Sequence, residues 1–118
     1  MRAFALLSED SNPLHSDDDY ARQLGFDSRV VFGALLVAKI SALIGVHLPG
    51  PGAVWAGLEV DFRNPLYVNE DATLSGKITH KSDAAKMLTL KLRIESGSRL
   101  IATGSAETLF RSGGNAGD

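Results

Sequence analysis

The segment Val30–Leu48, VVFGALLVAKISALIGVHL, is the longest apolar stretch of the chain and decides its fold. It is about long enough to cross a bilayer, but Lys39 lies in its middle and no second apolar span follows. A helix that is apolar almost all round is also what a soluble fold buries against a sheet. We therefore predict one long buried helix from near Val31 to Gly45 or Val46, and no membrane partner.

After this helix the pattern becomes that of β-strands. The residues Pro49–Gly52 predict a rigid turn, and the later segment 87–95, MLTLKLRIE, alternates apolar and polar residues almost strictly. Such alternation is typical of a strand with one buried and one wet face. We predict an α+β fold in which a four-stranded antiparallel meander wraps around the long helix. The predicted strands are Ala53–Phe62, Ala72–His80, Lys86–Glu95 and Leu100–Phe110.

Two short helices are predicted before the long one. The first covers Met1–Ser8, and the second covers Asp17–Leu24 with Ser16 or Asp17 as its N-cap. Gly25 is the residue type that ends such a helix. Between the two helices, Pro13 interrupts the helical pattern because the residue before a proline is pushed away from the helical region.

The composition is that of one ordinary globular domain. The chain has 118 residues, of which 44% are hydrophobic and 22% charged, and its formal net charge is −2. This charge gives no reason to expect nucleic acid as a partner, and the lack of cysteine excludes disulfides and thiolate metal sites. The first residues do not read as a secretory signal, so we expect a cytoplasmic protein. We predict a single domain over residues 1–111 and a flexible tail over residues 112–118.

The stretch Asp10–His15, DSNPLH, contains the residues most suited to acid–base chemistry. It places a carboxylate and an imidazole on a loop that Pro13 stiffens, between two predicted helices. A histidine can both accept and donate a proton near neutral pH, and a nearby carboxylate can orient water. An isolated aspartate and histidine at this spacing are more often a helix cap and a turn residue, so the residues between them matter.

The whole stretch Asp10–His15 resembles the motif D-x-N-P-[LIV]-H of MaoC-like (R)-specific enoyl-CoA hydratases. The resemblance continues in the start of the long helix at Val30–Leu36 and in the L-P-G-x-G turn at Leu48–Gly52. It also includes Phe62–Val68, which is similar to the family's F-x-x-P-[VL]-x-[VP] segment. Together these motifs cover roughly residues 4 to 110.

The resemblance implies a hot-dog fold and the hydration of trans-2-enoyl thioesters of coenzyme A or an acyl carrier protein. Asp10 and His15 would form the catalytic pair that activates water. The backbone N–H of Gly33 would bind the thioester oxygen at the start of the long helix. Ser41 would support the catalytic pair, and Asn12 would fix the loop through side-chain hydrogen bonds. The family also implies a homodimer and needs no metal or prosthetic group.

This sequence departs from the family pattern at two places, and both bear on activity. Phe32 stands where the family usually has a histidine before the helix-start glycine. Family members also carry a first strand upstream that this sequence lacks, so the resemblance predicts a sheet of four strands instead of five, with an edge that must be covered or paired.

Two alternatives share the predicted fold. A hot-dog thioesterase would direct water to the thioester carbonyl carbon instead of C3, and a non-catalytic module would bind the acyl thioester without turning it over. A dehydratase would use the same active site in the reverse direction.

Overall fold

The computed structural model describes residues 1–111, and the tail predicted at 112–118 lies outside the described residues. Three α-helices precede a single antiparallel sheet, which confirms the α+β class. The elements are α1 (Arg2–Ser8), a 3-10 turn (Pro13–His15), α2 (Asp18–Gln23), α3 (Gly33–Ala42), a π-helical turn (Leu43–His47), β1 (Ala53–Phe62), β2 (Thr73–Ser82), β3 (Met87–Ser96) and β4 (Arg99–Phe110).

The strands lie where they were predicted, but their order corrects the prediction of a simple meander. The order in the sheet is β1-β4-β3-β2, so β1 pairs with β4 and not with β2. Tight turns at Asp83–Lys86 and Gly97–Ser98 join β2, β3 and β4 as consecutive hairpins. The connection 63–72 is too long for a hairpin and instead carries the chain from one edge of the sheet to the other.

A bulge in β1 explains why its apolar residues are not evenly spaced. The register against β4 shifts between Trp55 and Gly57. An extra residue at this point lets Trp55 and Leu58, three positions apart, face the same core. Phe62, the last residue of the strand, remains 53% exposed.

The sheet covers only one face of the long helix. Leu36, Ile40 and Ile44 recur every fourth residue and are buried against the sheet. On the other side Ala38 is exposed, and Val46 is 61% exposed. The helix therefore packs against the sheet on one face, and the sheet does not wrap around it as predicted. Over residues 1–111, no helix has the length and apolar character needed to span a bilayer.

The helix also begins later than predicted, at Gly33 and not near Val31. Val31 donates its backbone N–H to the Leu66 carbonyl at 2.8 Å, and Val30 forms a β-bridge with Tyr67. These hydrogen bonds to the neighbouring segment at Leu66 and Tyr67 keep Val30 and Val31 out of the helix. At its other end the helix continues as the π-helical turn as far as His47.

The core lies between α3 and the inner face of β3 and β4. Leu90 is fully buried and sits opposite Ala106 in the β3–β4 register. We expect Leu90→Ala to lower the free energy of unfolding by about 2–5 kcal/mol, because it removes apolar contacts and leaves a cavity. Urea unfolding checks this value.

Leu7→Ala is the matched control, since Leu7 is 83% exposed on α1. It should change the free energy of unfolding by less than about 0.5 kcal/mol. Equal losses in the two variants would contradict the location of the core.

Candidate active site

The loop that carries Asp10 and His15 is shaped by hydrogen bonds between its side chains and its own backbone. The Ser8 hydroxyl accepts from the Asp10 backbone N–H at 3.2 Å, and Asp10 Oδ1 accepts from the Asn12 N–H at 3.1 Å. Asn12 Oδ1 then accepts from the Leu14 N–H at 3.0 Å and caps the 3-10 turn that contains His15. Pro13 occupies the first position of this turn, where no N–H donor is needed.

His15 is held in one orientation by the backbone of a distant residue. Its Nδ1 lies 2.7 Å from the carbonyl oxygen of Val30. Because a carbonyl can only accept, Nδ1 carries the proton, and the neutral ring keeps its lone pair on Nε2. That nitrogen is the one turned toward Asp10, with 3.9 Å between Nε2 and Asp10 Oδ2.

The separation of 3.9 Å between these atoms is too long for a direct hydrogen bond. In the neutral state both atoms are acceptors. A water molecule between them can donate one O–H to each, which fixes its oxygen lone pairs in the remaining directions. The His15 side chain is 12% exposed and that of Asp10 is 45% exposed, so the pair lies at the border between the interior and the solvent.

An aromatic stack backs the imidazole. The rings of His15 and Phe32 lie 3.9 Å apart, centroid to centroid, at an interplanar angle of 26°. Phe4 of α1 contacts Phe32 in a tilted arrangement with centroids 5.0 Å apart. Phe32 is 2% exposed, so the stack fills the space behind His15.

Gly33 lies beside His15 at the first position of α3. The first backbone N–H groups of a helix have no partner within it, so this amide is available to a ligand oxygen. Gly33 and His15 line one cavity of about 390 Å³, whose walls are largely apolar. A Cβ added at Gly33 would lie 3.1 Å from Phe62 Cζ, so the missing side chain lets the Phe62 ring pack closely against the helix start.

Asp10 and Asn12 line a second cavity of about 380 Å³, and His15 borders this cavity as well. The imidazole therefore stands between the carboxylate on one side and the helix-start amide on the other. Ser41 lies two turns along α3 from Gly33, a rise of about 12 Å. It is exposed and is among the lining residues of neither cavity, so its supporting role stays a prediction.

The extended residues 29–31 tie this site to the rest of the fold. Val30 donates its N–H to Leu14, next to His15, at 3.1 Å. Asp18 at the start of α2 accepts from the backbone N–H of Arg29 at 3.0 Å and from its Nε at 3.1 Å. The backbone hydrogen bond, together with the Arg29 charge, lowers the pKa of the Asp18 carboxyl.

A similar carboxylate fixes the wall formed by the connection 63–72. Glu70 accepts from the Tyr67 backbone N–H at 2.8 Å and pairs with Arg99, which also donates to the Pro65 carbonyl at 2.8 Å. The Tyr67 hydrogen bond, and then Arg99, lower the pKa of Glu70. Sequence reasoning missed this network and the Val30 carbonyl, because backbone acceptors leave no signature in residue type.

A long helix on one antiparallel sheet is the hot-dog arrangement, which this chain shares with solved hydratases. The family model for the MaoC-like domain matches residues 1–97, and the chain belongs to this family.

Three relatives illustrate the match. The chain is 38% identical to an (R)-specific enoyl-CoA hydratase of Aeromonas caviae over 105 residues, covering 88% of this chain and 78% of the relative. The solved structure of the (R)-hydratase of A. caviae superposes with a TM-score of 0.87 at 36% identity, over 93% of this chain and 84% of that one. A mitochondrial 3-hydroxyacyl-[acyl-carrier-protein] dehydratase of Arabidopsis thaliana is 38% identical over 71 residues, covering 60% of this chain and 42% of the relative.

The Asp18–Arg29 contact predicts a pH-dependent contribution to stability. The pKa of Asp18 is lower in the folded chain than in the unfolded chain, where it is about 3.9. Its stabilising effect is therefore fully present above pH 4 or so and is lost as the pH falls through the lower folded pKa. We expect Asp18→Asn to lower the midpoint temperature of unfolding at pH 7, and the difference from wild type to shrink at lower pH.

Asp83→Asn is the matched control, since the side chain of Asp83 is 85% exposed in the β2–β3 turn. Calorimetry from pH 7 to pH 3 on the two variants and wild type measures the effect. A difference between Asp18→Asn and wild type that is the same at every pH would contradict the assignment.

Proposed function

We propose that this protein is an (R)-specific enoyl-thioester hydratase in which Asp10 and His15 activate the attacking water. The observation that carries the proposal is the 3.9 Å separation of His15 Nε2 and Asp10 Oδ2, two acceptors that can share one water. His15 also lines the cavity in which Gly33 begins the long helix. The family relationship supports it, since the similar protein of A. caviae is named an (R)-specific enoyl-CoA hydratase.

In the proposed reaction the water oxygen bonds to C3 of the 2-enoyl thioester as His15 Nε2 accepts one water proton. The electron pair of the C2=C3 bond moves toward the thioester oxygen and forms an enolate. The Gly33 N–H stabilises this oxygen, with the positive end of the α3 dipole behind it. The proton held by the Asp10–His15 pair then goes to C2, so that one water has been added and the site is restored.

In this scheme Asp10 and His15 carry out every proton transfer and Gly33 donates a hydrogen bond, so the reaction requires no metal or prosthetic group. The acyl chain would be carried by coenzyme A or by an acyl carrier protein, and the relatives include proteins named for each. The same site run backwards is a 3-hydroxyacyl dehydratase. The cytoplasmic location stays a prediction of the sequence.

The first test is turnover of crotonyl-CoA, followed as loss of the conjugated enoyl-thioester absorbance. We expect hydration to the (R)-3-hydroxy product. We expect Asp10→Asn and His15→Ala each to lower kcat by about 10²–10⁴-fold, the range typical of a lost acid–base group. His80→Ala is the matched control, since His80 is exposed on β2, and it should leave kcat unchanged.

The products separate the alternatives. Release of free coenzyme A that depends on His15 would identify a thioesterase and overturn the hydratase assignment. Binding of enoyl-CoA without turnover at any acyl length would identify a non-catalytic acyl-thioester module.

We also propose that the protein is a homodimer that pairs through β1. This strand is one edge of the sheet and leaves Val54 45% exposed and Phe62 53% exposed. The opposite edge, β2, carries Lys77, His80 and Lys81, the kind of charged residues that discourage edge pairing. β1 also carries Glu59 and Asp61, but its exposed Val54 and Phe62 provide apolar surface that a second copy can cover.

The oligomeric state and a pair of variants test this proposal. We expect wild type to sediment as a dimer and Val54→Lys, which adds a charge to the β1 edge, to shift the protein toward monomer. Thr79→Lys adds the same charge to the β2 edge and should remain a dimer. A monomeric wild type, or dissociation by Thr79→Lys alone, would contradict pairing through β1.

A further inference from the structure

We infer that Phe32 is the positioning residue for the His15 imidazole, and that its ring holds Nε2 toward Asp10 during the reaction. The inference rests on the proposed function in one respect, namely that His15 is the residue that accepts the water proton. Phe32 touches neither of the reacting atoms in the scheme above, so it acts through His15.

The hydrogen bonding of the imidazole leaves one motion unconstrained. The bond from Nδ1 to the Val30 carbonyl fixes one corner of the ring and its tautomer. A single hydrogen bond at one corner does not prevent the ring from tilting about the N–H···O direction. Such a tilt would swing Nε2 away from Asp10 and widen the 3.9 Å gap that a shared water must bridge.

The face of Phe32 blocks that tilt. Its ring lies nearly parallel to the imidazole at 26°, with centroids 3.9 Å apart, which is van der Waals contact over the whole face. Phe32 cannot retreat, because it is 2% exposed and Phe4 lies against it with centroids 5.0 Å apart. The hydrogen bond and the stack together leave the imidazole one orientation.

The position of Phe32 in the chain links the two halves of the site. It is the residue directly before Gly33 and the N-cap of α3, with φ −56° and ψ 129°. Its backbone therefore sets the direction of the Gly33 amide while its side chain sets the direction of His15.

The test compares Phe32→Leu, which removes the ring, with Phe32→Tyr, which keeps it. Phe110→Leu is the matched control, since it removes a ring at the end of β4 that contacts Lys81 and Lys86 and belongs to neither cavity beside His15. Proton NMR of the imidazole C–H groups reports the stack directly, because a ring lying face to face shields them. His47 and His80, both exposed, supply the unstacked reference in the same spectrum, and His15→Ala assigns the signal.

We expect the His15 signals to lie upfield in wild type, Phe32→Tyr and Phe110→Leu, and to move to the reference position in Phe32→Leu. In crotonyl-CoA hydration we expect Phe32→Leu to lower kcat between about tenfold and a hundredfold with KM unchanged, the loss typical of a misplaced catalytic group. Phe32→Tyr should restore kcat. If Phe32→Leu does not fold, Phe32→Met replaces it, since methionine keeps the apolar volume without a ring.

Two results would overturn the inference. One is a His15 signal that does not move when the Phe32 ring is removed, and the other is a moved signal with unchanged kcat. If wild type hydrates no enoyl thioester, the proposed function fails. In that case the NMR comparison still decides whether Phe32 sets the orientation of the imidazole.

Discussion

The hydrogen bond from His15 Nδ1 to the Val30 carbonyl is the constraint on which the arrangement of the site depends. It joins a surface loop to the extended residues 29–31, which also bond to Leu14, Asp18 and Leu66. Each such bond contributes only about 0.5–1.5 kcal/mol to stability. For function, these hydrogen bonds matter because they orient the groups they join. Together they place the loop, the start of the helix and the cavity wall around one short stretch of backbone.

This use of residues 29–31 also determines where the helix begins. Backbone groups that bond sideways to Leu14 and Leu66 cannot take part in a helical ladder, so the helical turns start at Gly33. The apolar segment Val30–Leu48 appears uniform in the sequence, but its two parts have different structural roles. Its first residues bind the histidine through the Val30 carbonyl, and the rest forms a helix whose first residue, Gly33, lines the same cavity as His15.

The sequence was informative wherever the controlling interaction is local. Alternation placed the strands to within two residues, and the side chain of Asp17 marked the start of α2. The order of strands was wrong because the β1–β4 pairing joins residues far apart in the chain, where periodicity carries no information. The sheet also covers less of α3 than predicted, since an apolar helix indicates burial without saying how many faces are buried. In the site, the motif located Asp10 and His15, but the Val30 carbonyl and the Phe32 stack arise from tertiary packing.

The two carboxylates with lowered pKa values determine how the scaffold around the site responds to pH. Asp18 anchors the stretch that holds His15, and Glu70 anchors the cavity wall at Pro65. Because contacts with Arg29 for Asp18, and with Tyr67 and Arg99 for Glu70, lower their pKa values, both carboxyl groups stay ionised at neutral pH. The contacts that these two carboxylates make with the framework therefore persist at neutral pH. A loss of activity in acid, where Asp18 and Glu70 take up protons, then reports on the framework that holds the site.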